Sequence, residues 1–190
     1  MTMPTPKGTK IVKLSQPENR RLRWLMKGTS GDVDRETLQC IHVKNGTSFA
    51  TDGYRLLAAK TVPGLITAGL EYDMVRFDNV PASATVVEAE ELSGVFPDIE
   101  AIVPKTEPNL QIMVSARMLR ETLAGFTGDD DHVILRFWEP TRPFEVCGQV
   151  QGADAYALIM PIRMGDPEPE PWRPGPKPPE ESQEPEDPEA

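Results

Sequence analysis

The spacing of apolar residues changes character several times in the first third of the chain. Lys10 to Leu14 reads as a strand, with Ile11, Val12 and Leu14 supplying aliphatic bulk. Ser15 opens a helical pattern. Glu18 stands three residues on, as a capping box requires, and Pro17 sits in the first turn, where its missing N–H costs nothing. Leu22, Leu25 and Met26 recur at helical spacing to about Lys27, and Gly28 is a natural stop. Leu38 to Lys44 and Ser48 to Ala50 are β-like runs on either side of Asn45-Gly46, a pair suited to a two-residue hairpin turn. Tyr54 to Ala59 continues as a further strand.

The same series returns after Asn109. Leu110 to Val114 is β-like, Ser115 caps a helix running to about Phe126, and Gly128 closes it. Strands then fit His132 to Trp138, Phe144 to Val150 and Ala155 to Ile162. Ser15 and Ser115, and Gly28 and Gly128, are each 100 residues apart. The chain therefore reads as an α+β protein with two copies of a β-α-β-β-β unit. The half-modules span about 10–62 and 109–164 and pack as one domain. The joining segment, 63–108, holds candidate strands at Tyr72 to Phe77 and Thr85 to Glu88, while Pro81, Pro97, Pro104 and Pro108 interrupt any long element. Residues 1–9, with Pro4, Pro6 and Gly8, are expected to be a flexible lead-in.

Both helices sort their residues. In the first, Leu22, Leu25 and Met26 share a face, while Arg20, Arg23 and Lys27 lie opposite, with Trp24 beside them and Arg21 at the flank. In the second, Met118, Leu119, Leu123 and Phe126 form the apolar face, and Arg117 and Arg120 lie opposite. Cations gathered on two helices suit a phosphate backbone and would bind it without reading sequence. A solvated helix face has the same pattern, and Glu121 dilutes the second helix. Neither helix carries the broad apolar stripe of a membrane-surface helix.

Charge sharpens this picture. Residues 166–190 hold nine acids, two bases and nine prolines, so this stretch carries −7 of the total −10. Such a composition cannot bury enough apolar surface to fold, so 165–190 is expected to be a disordered acidic Pro-rich tail. Trp172, followed by Arg173 and Pro174, is its one docking-peptide feature. The remaining body is only mildly acidic, and six of its 18 cations lie on the two helices. No apolar run reaches the ~18 residues of a membrane span, and the N-terminal stretch lacks a signal-peptide core. Cys40 and Cys147 do not make a disulfide framework and fit the buried, reduced thiols of a cytoplasmic protein. His42 and His132 are too isolated for a zinc site. Asp129-Asp130-Asp131 reads as a solvated turn, since adjacent carboxylates rarely share one ion. No nucleophile–base pairing, phosphate-binding Gly loop or HExxH pattern is present, so neither catalysis nor a cofactor is expected.

Three short segments point further. They are Ala50-Thr51-Asp52-Gly53-Tyr54-Arg55-Leu56, Phe96-Pro97-Asp98-Ile99-Glu100-Ala101-Ile102-Val103-Pro104 and Tyr156-Ala157-Leu158-Ile159-Met160-Pro161-Ile162-Arg163-Met164. In this order they resemble the ATDG-aromatic-RL, FPDYRRVxP and terminal YxxMPMRL segments of bacterial sliding clamps, the β subunits of DNA polymerase III. The resemblance runs from about Lys10 to Met164. It implies sheets outside and helices inside, lining a DNA-sized hole. Arg20, Arg21, Arg23, Lys27, Arg117 and Arg120 would then face duplex DNA. It also implies an apolar pocket for a linear peptide of a polymerase or another replication or repair protein. Thr51, Gly53, Tyr54, Arg55, Leu56, Pro104, Leu158, Met160, Pro161 and Ile162 match the pocket positions, with Tyr54 in place of the usual His.

Bacterial clamps carry three domains per chain, and this chain has material for one. The resemblance thus implies a condensed clamp, whose ring would need self-assembly of about six copies. The alternative is a clamp-derived adaptor that binds clamp-partner peptides without encircling DNA. A third reading, an unrelated α+β enzyme, would lack the duplicated unit.

Overall fold

The computed structural model describes residues 5–65, 73–104, 106, 108–126, 132–151 and 153–162. The expected tail, Trp172, Arg163, Met164, Gly128 and the triple aspartate lie outside these residues. Two compact units are present, residues 5–103 and 104–162.

The first unit begins with strand β1 (Thr5–Lys13), helix α1 (Gln16–Met26), a 3-10 turn (Glu36–Gln39) and strands β2 (Ile41–Lys44), β3 (Thr47–Thr51) and β4 (Leu56–Lys60). A second 3-10 turn (Pro63–Leu65), β5 (Asp73–Arg76), β6 (Val86–Ser93) and the one-turn helix α2 (Ile99–Ile102) follow. All six strands form one sheet in the order β1-β6-β5-β2-β3-β4, with every pairing antiparallel. The segment after residue 63 thus inserts two strands between β1 and β2. Arg76 and Glu90 face each other across β5 and β6, and Arg76 Nη2 donates to Glu90 Oε2 at 2.6 Å.

Local chemistry accounts for the element boundaries. The Glu18 carboxylate accepts hydrogen bonds from the Ser15 N–H at 2.7 Å and the Ser15 hydroxyl at 2.6 Å, which starts α1 where a capping box should. These two bonds hold the Glu18 carboxyl below its ordinary value. Leu22 and Leu25 are fully buried against Val12, Ile41, Ala50 and Val75 of the sheet. Asn19 is also buried, and its Nδ2 donates at 2.9 Å to the carbonyls of both Pro81 and Ala84. At the hairpin between β2 and β3, Asn45 (φ +49°) and Gly46 (φ +73°) take the left-handed conformations a two-residue turn demands.

Three expectations for this unit need correction. Residues 5–9 are not a loose lead-in but the first part of β1, paired with β6 from Thr5↔Ser93 onward. Pro6, which has no N–H to give, is accommodated because β1 is an edge strand, and the register shifts between Pro6 and Gly8. Leu38 belongs to a 3-10 turn instead of a strand, so β2 starts at Ile41. Tyr54 precedes β4, which starts at Leu56, because the Asp52 turn occupies residues 52–55.

The second unit contains helix α3 (Ala116–Leu123) and strands β7 (Ile134–Arg136), β8 (Phe144–Val150) and β9 (Ala153–Ile159). The strands form an antiparallel sheet in the order β7-β8-β9. Phe144, Val146 and Ile159 make its buried centre, covered by Leu119, Leu123 and Phe126. Ser115 caps α3, its Oγ accepting from the Met118 N–H. The expected strand Leu110 to Val114 is reduced to one bridge, Met113↔Ile162. Met118 is 47% exposed and is not part of the helix's packed face, because α3 turns only Leu119 and Leu123 inward. The element order is α+β in both units, with β-α-β-β-β from Thr5 to Lys60 and the first strand of the second series shortened to that bridge.

Candidate functional site

On α1 the packing of Leu22 and Leu25 dictates where the cations go. Arg20, Arg23 and Lys27 are exposed, as is the Trp24 indole between them in sequence. Arg21 differs from its neighbours. It is half-buried, and its guanidinium donates to the Lys60 carbonyl at 3.0 Å, tying α1 to the end of β4. On α3, Arg117 lies 3.9 Å from Glu121 in an exposed pair one helical turn apart, which contributes little in water. Arg120 is exposed and edges a groove of about 520 Å³ lined by Ala116, Leu119, Leu123 and Ala124.

The Thr51–Leu56 segment is a built turn. Thr51 is buried, and its hydroxyl donates to the Arg55 carbonyl at 2.7 Å and accepts from the Gly53 N–H at 3.1 Å. Asp52 Oδ1 accepts from the Tyr54 and Arg55 N–H groups, each at 3.0 Å, and Oδ2 accepts from Arg55 Nε at 2.9 Å. The Tyr54 N–H bond leads these in pulling the Asp52 carboxyl below its ordinary value. Gly53 has φ +93°, a conformation that side chains rarely adopt, so the position calls for glycine. The outcome is that Tyr54 projects into solvent, 92% exposed, while Leu56 is half-buried at the start of β4. Asp52 was not among the site residues expected from sequence, yet it organises the whole turn. Its signal was the Asp-Gly pair after a strand.

In the second unit the expected residues form an exposed apolar ridge. Leu158, Met160 and Ile162 alternate along the end of β9 and beyond it, exposed at 55%, 60% and 48%, while Ile159 between them is buried. Tyr156 shares the Leu158 side of β9 and donates its hydroxyl to Glu145 at 3.1 Å. Pro161 is half-buried and Pro104 exposed. The two groups of expected partner-binding residues thus belong to different units, as do the two sets of cations.

The remaining polar candidates are structural. Cys40 is buried, and burial pushes its thiol up to about 11. Cys147 is half-buried. His42 is buried on β2 and stacks on Phe96 with ring centroids 4.6 Å apart. Among the described residues, no group of three or more His, Cys, Asp or Glu is placed to hold a metal ion, and no helix is long and apolar enough to cross a membrane.

Comparison with known proteins places this geometry. Scans against protein-family models and against curated proteins find no match. Solved structures do match. The DNA polymerase III β subunit of Borrelia burgdorferi superposes with a TM-score of 0.53 at 18% identity, over 88% of this chain and 50% of that one. The β subunit of Pseudomonas aeruginosa gives 0.53 at 15% identity, over 85% and 53%. The Bacillus subtilis sliding clamp gives 0.52 at 16%, over 85% and 51%. The chain has a sliding-clamp fold. It spans about half the length of the clamps it matches.

Proposed function

We propose that the protein is a non-enzymatic, clamp-like processivity factor that contacts or encircles duplex DNA and docks a polymerase or another replication or repair protein. The observation that carries this reading is the row of exposed Arg20, Arg23 and Lys27 on α1 of a sliding-clamp fold. Arg117 and Arg120 add cations on α3. Contacts of this kind bind phosphates without reading bases, which lets a tether slide. The ridge of Leu158, Met160 and Ile162 offers apolar surface for a Leu or Phe of a partner peptide. A ring built from this chain requires copies of it to associate.

Retention on DNA tests the proposal. The protein is incubated with nicked circular duplex and separated by size, and the DNA is then cut once. Retention on the circle that is lost on cutting is the expected result, since only a topological tether escapes through an end. Absence of retention on either form, together with saturable binding of a clamp-binding peptide, would replace this reading with the adaptor that takes partner peptides without encircling DNA.

A further inference from the structure

The Ile162 N–H donates to the Met113 carbonyl at 2.7 Å, two residues ahead of Ser115, the cap of α3. Ile162 therefore lies beside the start of α3. That helix presents an open, shallow apolar groove lined by Ala116, Leu119, Leu123 and Ala124, with Arg120 at its edge and Arg117 exposed in its first turn. The sequence that follows Ile162 is complementary to both features. Asp166, Glu168 and Glu170 come first, and Trp172 comes next, ten residues beyond Ile162.

We infer that residues 166–173 dock back on α3 of their own chain, with the Trp172 indole in the groove and the three carboxylates beside Arg117 and Arg120. The reach is sufficient. Ten residues in a polyproline conformation span about 30 Å at ~3.1 Å each. The eight residues of α3 rise only about 12 Å. Pro167, Pro169, Pro171 and Pro174 restrict the segment before it docks, which lowers the ordering cost of binding. A tryptophan also brings the largest apolar surface of any side chain, suited to a groove with little polar lining. The excess of nine acids over two bases in 166–190 draws the segment toward a cationic helix and away from the acidic remainder of the body. The inference does not depend on DNA binding.

The test uses the full chain with Trp24→Phe and Trp138→Phe, two exposed positions, which leaves Trp172 as the sole tryptophan. The expected result is Trp172 emission at shorter wavelength, and less quenching by acrylamide, than in a free peptide of residues 163–190. Arg120→Glu, or Ala116→Glu in the first helical turn where an acid is compatible with the helix, should abolish the shift, and added salt should reduce it. In parallel, Trp172→Ala in the otherwise native chain should raise amide hydrogen exchange in residues 116–124 and leave β2 and β5 unchanged. Peptide-like emission, or a shift indifferent to both glutamate variants, overturns the inference. A shift that disappears on dilution also overturns it, in favour of a second copy's tail.

Discussion

The guanidinium of Arg55 donates a 2.6 Å hydrogen bond to the carbonyl of Lys27, the residue that caps the C-terminus of α1. The same side chain is held by Asp52 from the other side. One arginine therefore joins the turn before β4 to the end of the cation-bearing helix. A positive group at a helix C-terminus also opposes the partial negative charge there. Arg55→Ala should lower the melting temperature and increase hydrogen exchange at residues 25–29, whereas Arg55→Lys should restore only part of the loss because it cannot fork between two acceptors. An unchanged exchange pattern in Arg55→Ala would show that the brace is dispensable.

Acid should loosen both ends of α1. Glu18 at its start and Asp52 behind its end have folded-state values below their ordinary 4.5 and 3.8. A depressed carboxylate contributes stability that is present above the unfolded value and is lost as pH falls through the folded one. Denaturant midpoints should therefore stay level at neutral pH and decline as pH drops below about 4.5, with the decline smaller in Glu18→Gln and Asp52→Asn. The check is a series of urea melts across pH for the three proteins.

Asn19 is the polar group with most at stake in the first unit. Its buried amide is the donor for two carbonyls, those of Pro81 and Ala84. Asn19→Ala should cost about 2–4 kcal/mol in chemical denaturation, because two acceptors lose their partner inside the protein. Asn19→Asp should be no better despite its matching shape, since an ionised carboxylate has no proton to donate.

Two double substitutions should separate DNA contact from partner binding. Arg20→Ala with Arg23→Ala should weaken duplex binding and reduce the salt slope by about 2, near 0.9 per lost phosphate contact. Leu158→Ala with Met160→Ala should weaken binding of a clamp-partner peptide instead. All four side chains are exposed, so neither pair should shift stability by more than about 1 kcal/mol. Cross-effects of either pair on the other assay would count against separate sites.

The thiols should also part company. Cys40, buried with its thiol pushed up to about 11, should resist a maleimide until the protein unfolds. Cys147, half-buried on β8, should react in the native state. Mass spectrometry of the labelled peptides reads both positions directly.

What the sequence made legible was short in range. Ser15 with Glu18, and Asn45 with Gly46, each settle their geometry within a few residues, and the observed helix start and hairpin follow them. The apolar face of α1 was likewise readable, because Leu22 and Leu25 repeat at helical spacing and both are buried. The insertion of β5 and β6 between β1 and β2 was not readable, since strand order is decided by partners tens of residues away. The same holds for Arg55, whose acceptor at Lys27 is 28 residues distant. Met118 misled because its spacing fits the inward face, yet it is exposed while Leu119 and Leu123 pack on the sheet. For the site, the Asp52-Gly53 pair announced a turn after β3, while the hydrogen bonds by which Asp52 fixes Tyr54 and Arg55 were not readable.

The placement of β1 has a consequence for synthesis. Among the described residues its one sheet partner is β6, so Thr5 waits for Ser93 before its backbone is paired. During translation β1 emerges before the rest of its sheet, and its partner β6 follows only after β2, β3, β4 and β5. Closing so long a loop is slow relative to local pairing, and an unpaired strand is an invitation to other nascent chains. Lys7, Lys10 and Lys13, spread along that strand, keep like copies apart by charge during the interval.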